Sequence, residues 1–203
     1  MELSKIESAL NDFKKGKFVI VVDDRHRENE GDLVLAAEKV TPQKINFMIK
    51  NARGLVCVPM LGKRLDELNL PLMTKINTEF TKCAFTISVD YKKGATTGIS
   101  AFDRAKTIKA LIDENTKPSD LAKPGHIFPL RCDKNGLHKR AGHTEAAIEL
   151  TKLAGLYPAA VICEVIGGNG RMARMPELKR FAKKYDLQVI KTRHLVEYVN
   201  YIT

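Results

Sequence analysis

Ten consecutive residues, Asp23-Asp24-Arg25-His26-Arg27-Glu28-Asn29-Glu30-Gly31-Asp32, separate two apolar runs at 18–22 and 33–37. Apolar runs this short and rich in Val, Leu and Ile read as buried strands. A charged stretch this dense between two buried strands is unlike an ordinary linker and has the look of a metal and phosphate site. A solvated hairpin turn needs only a few Gly, Asn or Asp residues, whereas this one interleaves five carboxylates with Arg25, His26 and Arg27. In an extended segment Glu28, Glu30 and Asp32 would share one face, and three carboxylates on one face repel unless a cation sits among them. Hard oxygen ligands favour magnesium, manganese or calcium. The competing reading of the run by itself is a surface loop whose charges pair with one another.

Helical and strand-like patterns alternate along the rest of the chain. Residues 5–15 place Ile6, Leu10 and Phe13 at helical spacing before Gly16, which supplies a stop. Thr41-Pro42 is an N-cap followed by a first-turn proline and predicts a helix to about residue 51. Residues 55–58 read as a buried strand, 62–82 as one short helix and an irregular segment, and 84–90 as an alternating strand. Ser100-Ala101-Phe102-Asp103 resembles a capping box and opens a helix to residue 112. Residues 115–141, with Pro118, Pro124-Gly125, Pro129 and Gly136, predict a long loop, which in a compact domain signals function. A helix at 144–153, strand at 159–166, helix at 176–185, strand at 187–190 and helix at 192–198 follow. The expectation is a mixed α/β (α+β) architecture, one compact domain over 1–203 with a mixed β-sheet surrounded by helices.

A net charge of +10 points to anionic partners, nucleic acid or a small phosphorylated substrate alike. Basic residues spread along the chain, no Trp and 6% aromatics leave few stacking platforms for nucleic acid. A basic nucleic-acid or nucleotide-binding protein stands as the alternative. No apolar run approaches the roughly 20 residues of a membrane helix, and the amino terminus lacks a signal peptide's apolar centre, so a cytoplasmic protein without a membrane partner is expected. Cys57, Cys83, Cys132 and Cys163 form no C-x-x-C pair, which predicts reduced thiols. Residues 168–173 only weakly approach a dinucleotide-binding pattern.

A second constellation, Arg140-Ala141-Gly142-His143-Thr144-Glu145, leads straight into a helical pattern. Helix starts bind phosphate through free N–H groups and the dipole, Arg140 can bond phosphate oxygens in bidentate fashion, and His143 adds a metal-competent imidazole. The plainer reading is a helix capped by Thr144 with an incidental histidine.

These segments, with GLVCVP at 54–59, TTGISAFDRAKTI at 96–108, PGHIFPLR at 124–131, RAGHTEAA at 140–147, ICE at 162–164 and MAR at 172–174, closely resemble the 3,4-dihydroxy-2-butanone 4-phosphate synthase family of riboflavin biosynthesis over nearly the whole chain. The resemblance implies a lyase that turns ribulose 5-phosphate into a four-carbon phosphate and formate. It uses magnesium or manganese, two ions per site, with no organic cofactor, in a homodimer whose sites lie near the subunit interface. It implies Glu28 and His143 as metal ligands, and Arg27, Asp32 and residues Arg140, Ala141, Gly142, His143 and Thr144 as substrate contacts. Cys57 and Thr97 line the pocket on the same basis. His126 and Glu164 match residues on which activity depends, with Asp32 and Glu164 the leading base and acid, Glu30 beside them, and His126 orienting or relaying a proton. Arg25 and His26 stand where the family is commonly acidic, so an inactive homologue is a further alternative, and Gly168-Asn169-Gly170-Arg171 replaces a common Asp-Gly turn. The closely spaced cysteines of a second, zinc-dependent domain found in many relatives are absent, which predicts one activity.

Overall fold

The two apolar runs pair as expected. Strands β1 (Val19–Val22) and β2 (Gly31–Ala36) run antiparallel, with Val21 opposite Asp32. Every residue of both is buried. Their side chains alternate between two cores: Ile20, Val22, Leu33 and Leu35 enter one, and Val19, Val21, Val34 and Ala36 the other. A sheet covered on both faces explains why these strands read as unbroken apolar runs.

The computed structural model describes residues 2–202, so Met1 and Thr203 of the predicted domain lie outside the described residues. Five further strands complete one mixed sheet: β3 (Cys57–Met60), β4 (Val89–Tyr91), β5 (Leu121–Arg131), β6 (Ala160–Glu164) and β7 (Gln188–Lys191), in the order β4-β5-β3-β6-β2-β1-β7. Helices α1 (Glu2–Lys14), α5 (His143–Leu153) and α7 (Thr192–Ile202) cover one face, through Ile6, Phe13, Leu150 and Leu195. Helices α2 (Pro42–Phe47), α3 (Gly62–Glu67), α4 (Ala101–Ile112) and α6 (Met175–Tyr185) cover the other, through Ile45, Leu65, Ile108 and Leu178. The result is a three-layer α/β/α arrangement in one compact unit.

Local chemistry sets the helix starts. The Thr41 hydroxyl accepts the Lys44 amide with Pro42 at the first position, and Ser100 accepts the Asp103 amide at 3.0 Å; each such cap contributes about 0.5–2 kcal/mol. The predicted helix to residue 51 is α2 followed by a π turn, Met48–Ala52, ending at Arg53 with φ 73°. Among the described residues no helix is long and apolar enough to cross a membrane.

The predicted loop at 115–141 is corrected: β5 occupies eleven of its residues. Prolines argue against an interior strand because they lack an N–H, yet Pro129 pairs with Val58, and its carbonyl accepts the Thr86 amide and hydroxyl. Tertiary pairing overrides the local signal. The Pro-Gly-His segment is nonetheless irregular, since β4 pairs Val89 with Ile127 and then Asp90 with Ala122, leaving residues 123–126 as an outward bulge. The strand expected at 84–90 is likewise shorter, reduced to isolated bridges at Phe85 and Thr86 before β4 begins.

Candidate active site

The charged loop is folded by one side chain that sequence reading did not single out. Asp23, buried at the end of β1, accepts the Arg27 guanidinium at 3.0 Å and the amides of Glu28 and Glu30 at 3.1 and 2.9 Å. This brace curls residues 23–30 back at the ends of β1 and β2. Its only advance signal was position, a carboxylate directly after an apolar strand. Asn29 sits at φ 54°, so the predicted extended alternation of Glu28, Glu30 and Asp32 does not hold. Glu28 reaches its place from a turn, Asp32 from β2, and Glu30 turns towards Arg174, 3.8 Å away. Arg25 and His26 are exposed on the outer side of the loop.

Helix α5 begins directly opposite. His143, its first residue, is buried, with Nδ1 3.6 Å from Glu28 and Nε2 4.0 Å from Asp23 and 3.9 Å from Asp32. One ligand atom each from Asp23, Glu28 and His143 lie within 4.8 Å of one another. Asp32 Oδ1 is a buried side-chain oxygen with no hydrogen-bond partner. Such an atom is costly unless something satisfies it, and carboxylate oxygens with one imidazole suit magnesium or manganese. These residues fit a divalent cation, with Glu28 and His143 best placed because Asp23 is already committed to three donors.

Burial first, then the charges of Glu164, Glu28 and Asp23, push the Asp32 carboxyl up to about 7. A hydrogen bond from His143, supported by the Arg27 charge, holds Glu28 down at about 2 despite its burial. Burial disfavours a charged His143, but Asp32, Glu28 and Asp23 outweigh it and raise the imidazole. Groups with acid strengths driven apart in one cavity are the mark of divided acid and base roles.

Glu164 stands across the sheet from Asp32 and accepts the Leu55 amide at 2.7 Å. A side chain at Gly54 would lie 2.4 Å from that carboxylate, so glycine is required there. At the N-cap Gly142, an added Cβ would meet the Arg140 guanidinium at 2.5 Å and that of Arg27 at 3.0 Å. Two guanidinium groups thus close around a helix N-terminus, an arrangement suited to a phosphate. Arg140 is held by buried Glu145 at 2.6 Å and by the Thr81 carbonyl at 3.3 Å.

One cavity gathers Arg27, Glu28, Asp32, Cys57, Arg140, His143, Thr144 and Glu164. Its walls include Cys83 and Phe85, which no motif marked, and Leu130 and Ile162, which lie in the PGHIFPLR and ICE segments without having been singled out. All four cysteines are free, and burial pushes the Cys83 thiol up to about 11 and Cys57 well above its usual range. Glu30, exposed Ala141, Thr97 and His126 are not among the cavity's lining residues. His126 lies on the bulge of β5, where its Nδ1 and amide meet the Asp90 carboxylate at 2.7 and 2.9 Å. Gly98, next to exposed Thr97, packs on the same pair.

The family model for 3,4-dihydroxy-2-butanone 4-phosphate synthase matches residues 7–198. The 3,4-dihydroxy-2-butanone 4-phosphate synthase of Agrobacterium fabrum (strain C58 / ATCC 33970) is 54% identical over 199 residues, 98% of this chain and 93% of that protein. Riboflavin biosynthesis protein RibBA of Endomicrobium trichonymphae is 56% identical over 96% of this chain, which spans about half, 48%, of that relative. A crystal structure of a 3,4-dihydroxy-2-butanone 4-phosphate synthase in complex with two magnesium ions superposes with a TM-score of 0.91 at 40% identity, covering 97% of this chain and 96% of that one.

Proposed function

The chain belongs to the 3,4-dihydroxy-2-butanone 4-phosphate synthase family, and on that premise we propose that it converts ribulose 5-phosphate into 3,4-dihydroxy-2-butanone 4-phosphate and formate in riboflavin biosynthesis. The observation that carries this reading is the joint cavity, in which a cation-competent Glu28–His143 pair and a two-arginine helix start face the carboxylates of Asp32 and Glu164. Substrate phosphate is gripped by Arg27, Arg140 and the amides at the start of α5. The sugar's carbonyl end then extends towards Glu28 and His143. When bound there, magnesium or manganese, as one or two ions, draws charge from the carbonyl oxygen as a Lewis acid.

Asp32, with a carboxyl near neutral acidity, takes the C3 proton to give the enediol, since a base works best near the operating pH. Glu164 beside it returns protons, first to the departing C1 hydroxyl and then along the rearranged skeleton. After the carbon shift, water adds to the new carbonyl and C4 leaves as formate. Substrate atoms equal those of the two products, so no oxidant or reductant enters and no organic cofactor is needed. His126 orients substrate or relays a proton from a neighbouring subunit. Exposed Leu55, Ile99 and Phe102 at that edge favour a homodimer, because apolar patches seldom stay in water. Free thiols support a reducing, cytoplasmic setting. Exposed Arg25 and His26 leave the cavity untouched, which favours an active enzyme over an idle homologue.

Incubation with ribulose 5-phosphate and magnesium should release formate as the sugar phosphate disappears, and a chelator should stop it. Absence of formate above the metal-free control would overturn the assignment.

A further inference from the structure

On the opposite face of the sheet lies a second basic cleft that the proposed reaction does not use. It is an open cleft with a volume of about 430 Å³, lined by the π turn after α2, the turn after β6 and helix α6. Val165, Ala173 and Phe181 tie it to the core under α2, α4 and α6, whereas Cys57, Leu130 and Ile162 of the catalytic cavity belong to the other core. The sheet therefore separates the two.

Lys50, Arg53, Arg180 and Lys184 line this cleft against one carboxylate, Glu177. That carboxylate is already engaged, accepting the Arg174 amide at 3.0 Å. These exposed cations outnumber the one carboxylate, which gives the cleft a positive field that draws an anion. Arg53 is the most telling of them. It ends its helix at φ 73°, a conformation unfavourable to a non-glycine residue, where glycine is the common choice. Its guanidinium donates to the carbonyls of Ile166 and Gly167, so backbone, with no net charge, holds the fork at the cleft. Lys184 Nζ stands 4.9 Å over the Tyr185 ring, which packs on Phe181 at 4.8 Å. Nothing lies within 4 Å of a Cβ built at Gly168, leaving the backbone open to close approach.

We propose that this cleft is a second anion site, taking the phosphate groups of a small, multiply charged phosphorylated compound independently of the catalytic cavity. Its volume suits a small molecule, and its cations line one bounded cleft, unlike the running groove that a polynucleotide needs. An occupant also bears on Glu164. Drawing Arg53 away from the carbonyls of Ile166 and Gly167 loosens the tie between residues 53–55 and 164–167, where the Leu55 amide holds that carboxylate.

Pyrophosphate titrated calorimetrically into the whole protein, in metal-free buffer at constant ionic strength, should fill two sites per chain. Lys50→Ala with Arg180→Ala should weaken one at least about tenfold and Arg140→Ala the other, each variant keeping the wild-type circular dichroism. In an amide NMR spectrum the Gly168 and Leu55 resonances should move along one isotherm that survives Arg140→Ala. A single site, lost with Arg140→Ala and unchanged by the double variant, overturns the proposal. So does an oligonucleotide that binds the cleft more tightly than pyrophosphate. The count of sites needs no turnover, so it stands or falls separately from the formate assay.

Discussion

Two charged regions of this molecule differ in how far one chain completes them. At the start of α5, Asp23, Asp32 and His143 are 4%, 3% and 5% exposed and make contact from three different elements. At the β4–β5 edge, the His126 side chain is 42% exposed and has one carboxylate partner, Asp90. The first region is enclosed, which shifts acid strengths and favours a cation. The second lies open beside apolar side chains, Ile99 at 52% and Phe102 at 69% exposure. Leu55 and His126 each precede the Cys57–Phe128 pair by two residues, and Leu55 donates its amide to Glu164. Glu164 thus stands between the enclosed region and the open one, as expected if a second copy brings its His126 to this Glu164.

The contrast breaks most sharply at the metal pair. Glu28→Gln or His143→Ala should abolish formate release while circular dichroism stays native, and full activity in either would remove the enclosed region from the chemistry. Asp32→Asn should lower kcat by about 10² to 10⁴-fold, measured with saturating substrate. For Gly142→Ala the new methyl displaces flexible arginine ends and no backbone, so the fold survives and kcat/KM falls by about 10²-fold. The open region is tested by mixing. Glu28→Gln and His126→Ala chains, unfolded and refolded together, should recover about a quarter of wild-type activity if the proposed homodimer shares its sites, since half the dimers would be mixed and each would carry one intact site. No recovery would mean that both groups act within one chain.

The smallest effect is a pH dependence. Buried Asp103 accepts the Thr96 hydroxyl at 2.6 Å and the amides of Thr96 and Gly98, bonds led by the Thr96 hydroxyl that hold its carboxyl down at about 2 and brace the turn beside His126. A depressed carboxyl stabilises above its unfolded value, and the benefit is lost as pH falls through the folded one. The difference in Tm between wild type and Asp103→Asn should therefore be constant above about pH 4 and shrink towards pH 2. A gap unchanged at pH 2 would show that Asp103 acts through shape alone.

Much of this was legible in the chain because it is local. Apolar runs, the Thr41-Pro42 and Ser100 caps, and the RAGHTE helix start depend on neighbours within a few residues. Arg27, Glu28, Asp32, Arg140, His143, Thr144 and Glu164 do share one cavity. Strand β5 was hidden by its prolines, since pairing with β3 and β4 is invisible to local propensity. Asp23 was hidden because its partners, two amides and a guanidinium, exist only after the loop has curled.

Amino-acid order alone determined that the unbroken apolar runs are buried and where the capped helices begin, since burial of apolar side chains and capping of helix termini follow from short-range chemistry. Only the tertiary structure decided that Asp32 and Glu164 stand side by side across two strands distant in sequence, that His143 lies beside Asp32, and that His126 faces outward with Asp90. Those relations depend on strand order and register, which are fixed by packing both faces of the sheet at once and by no segment on its own.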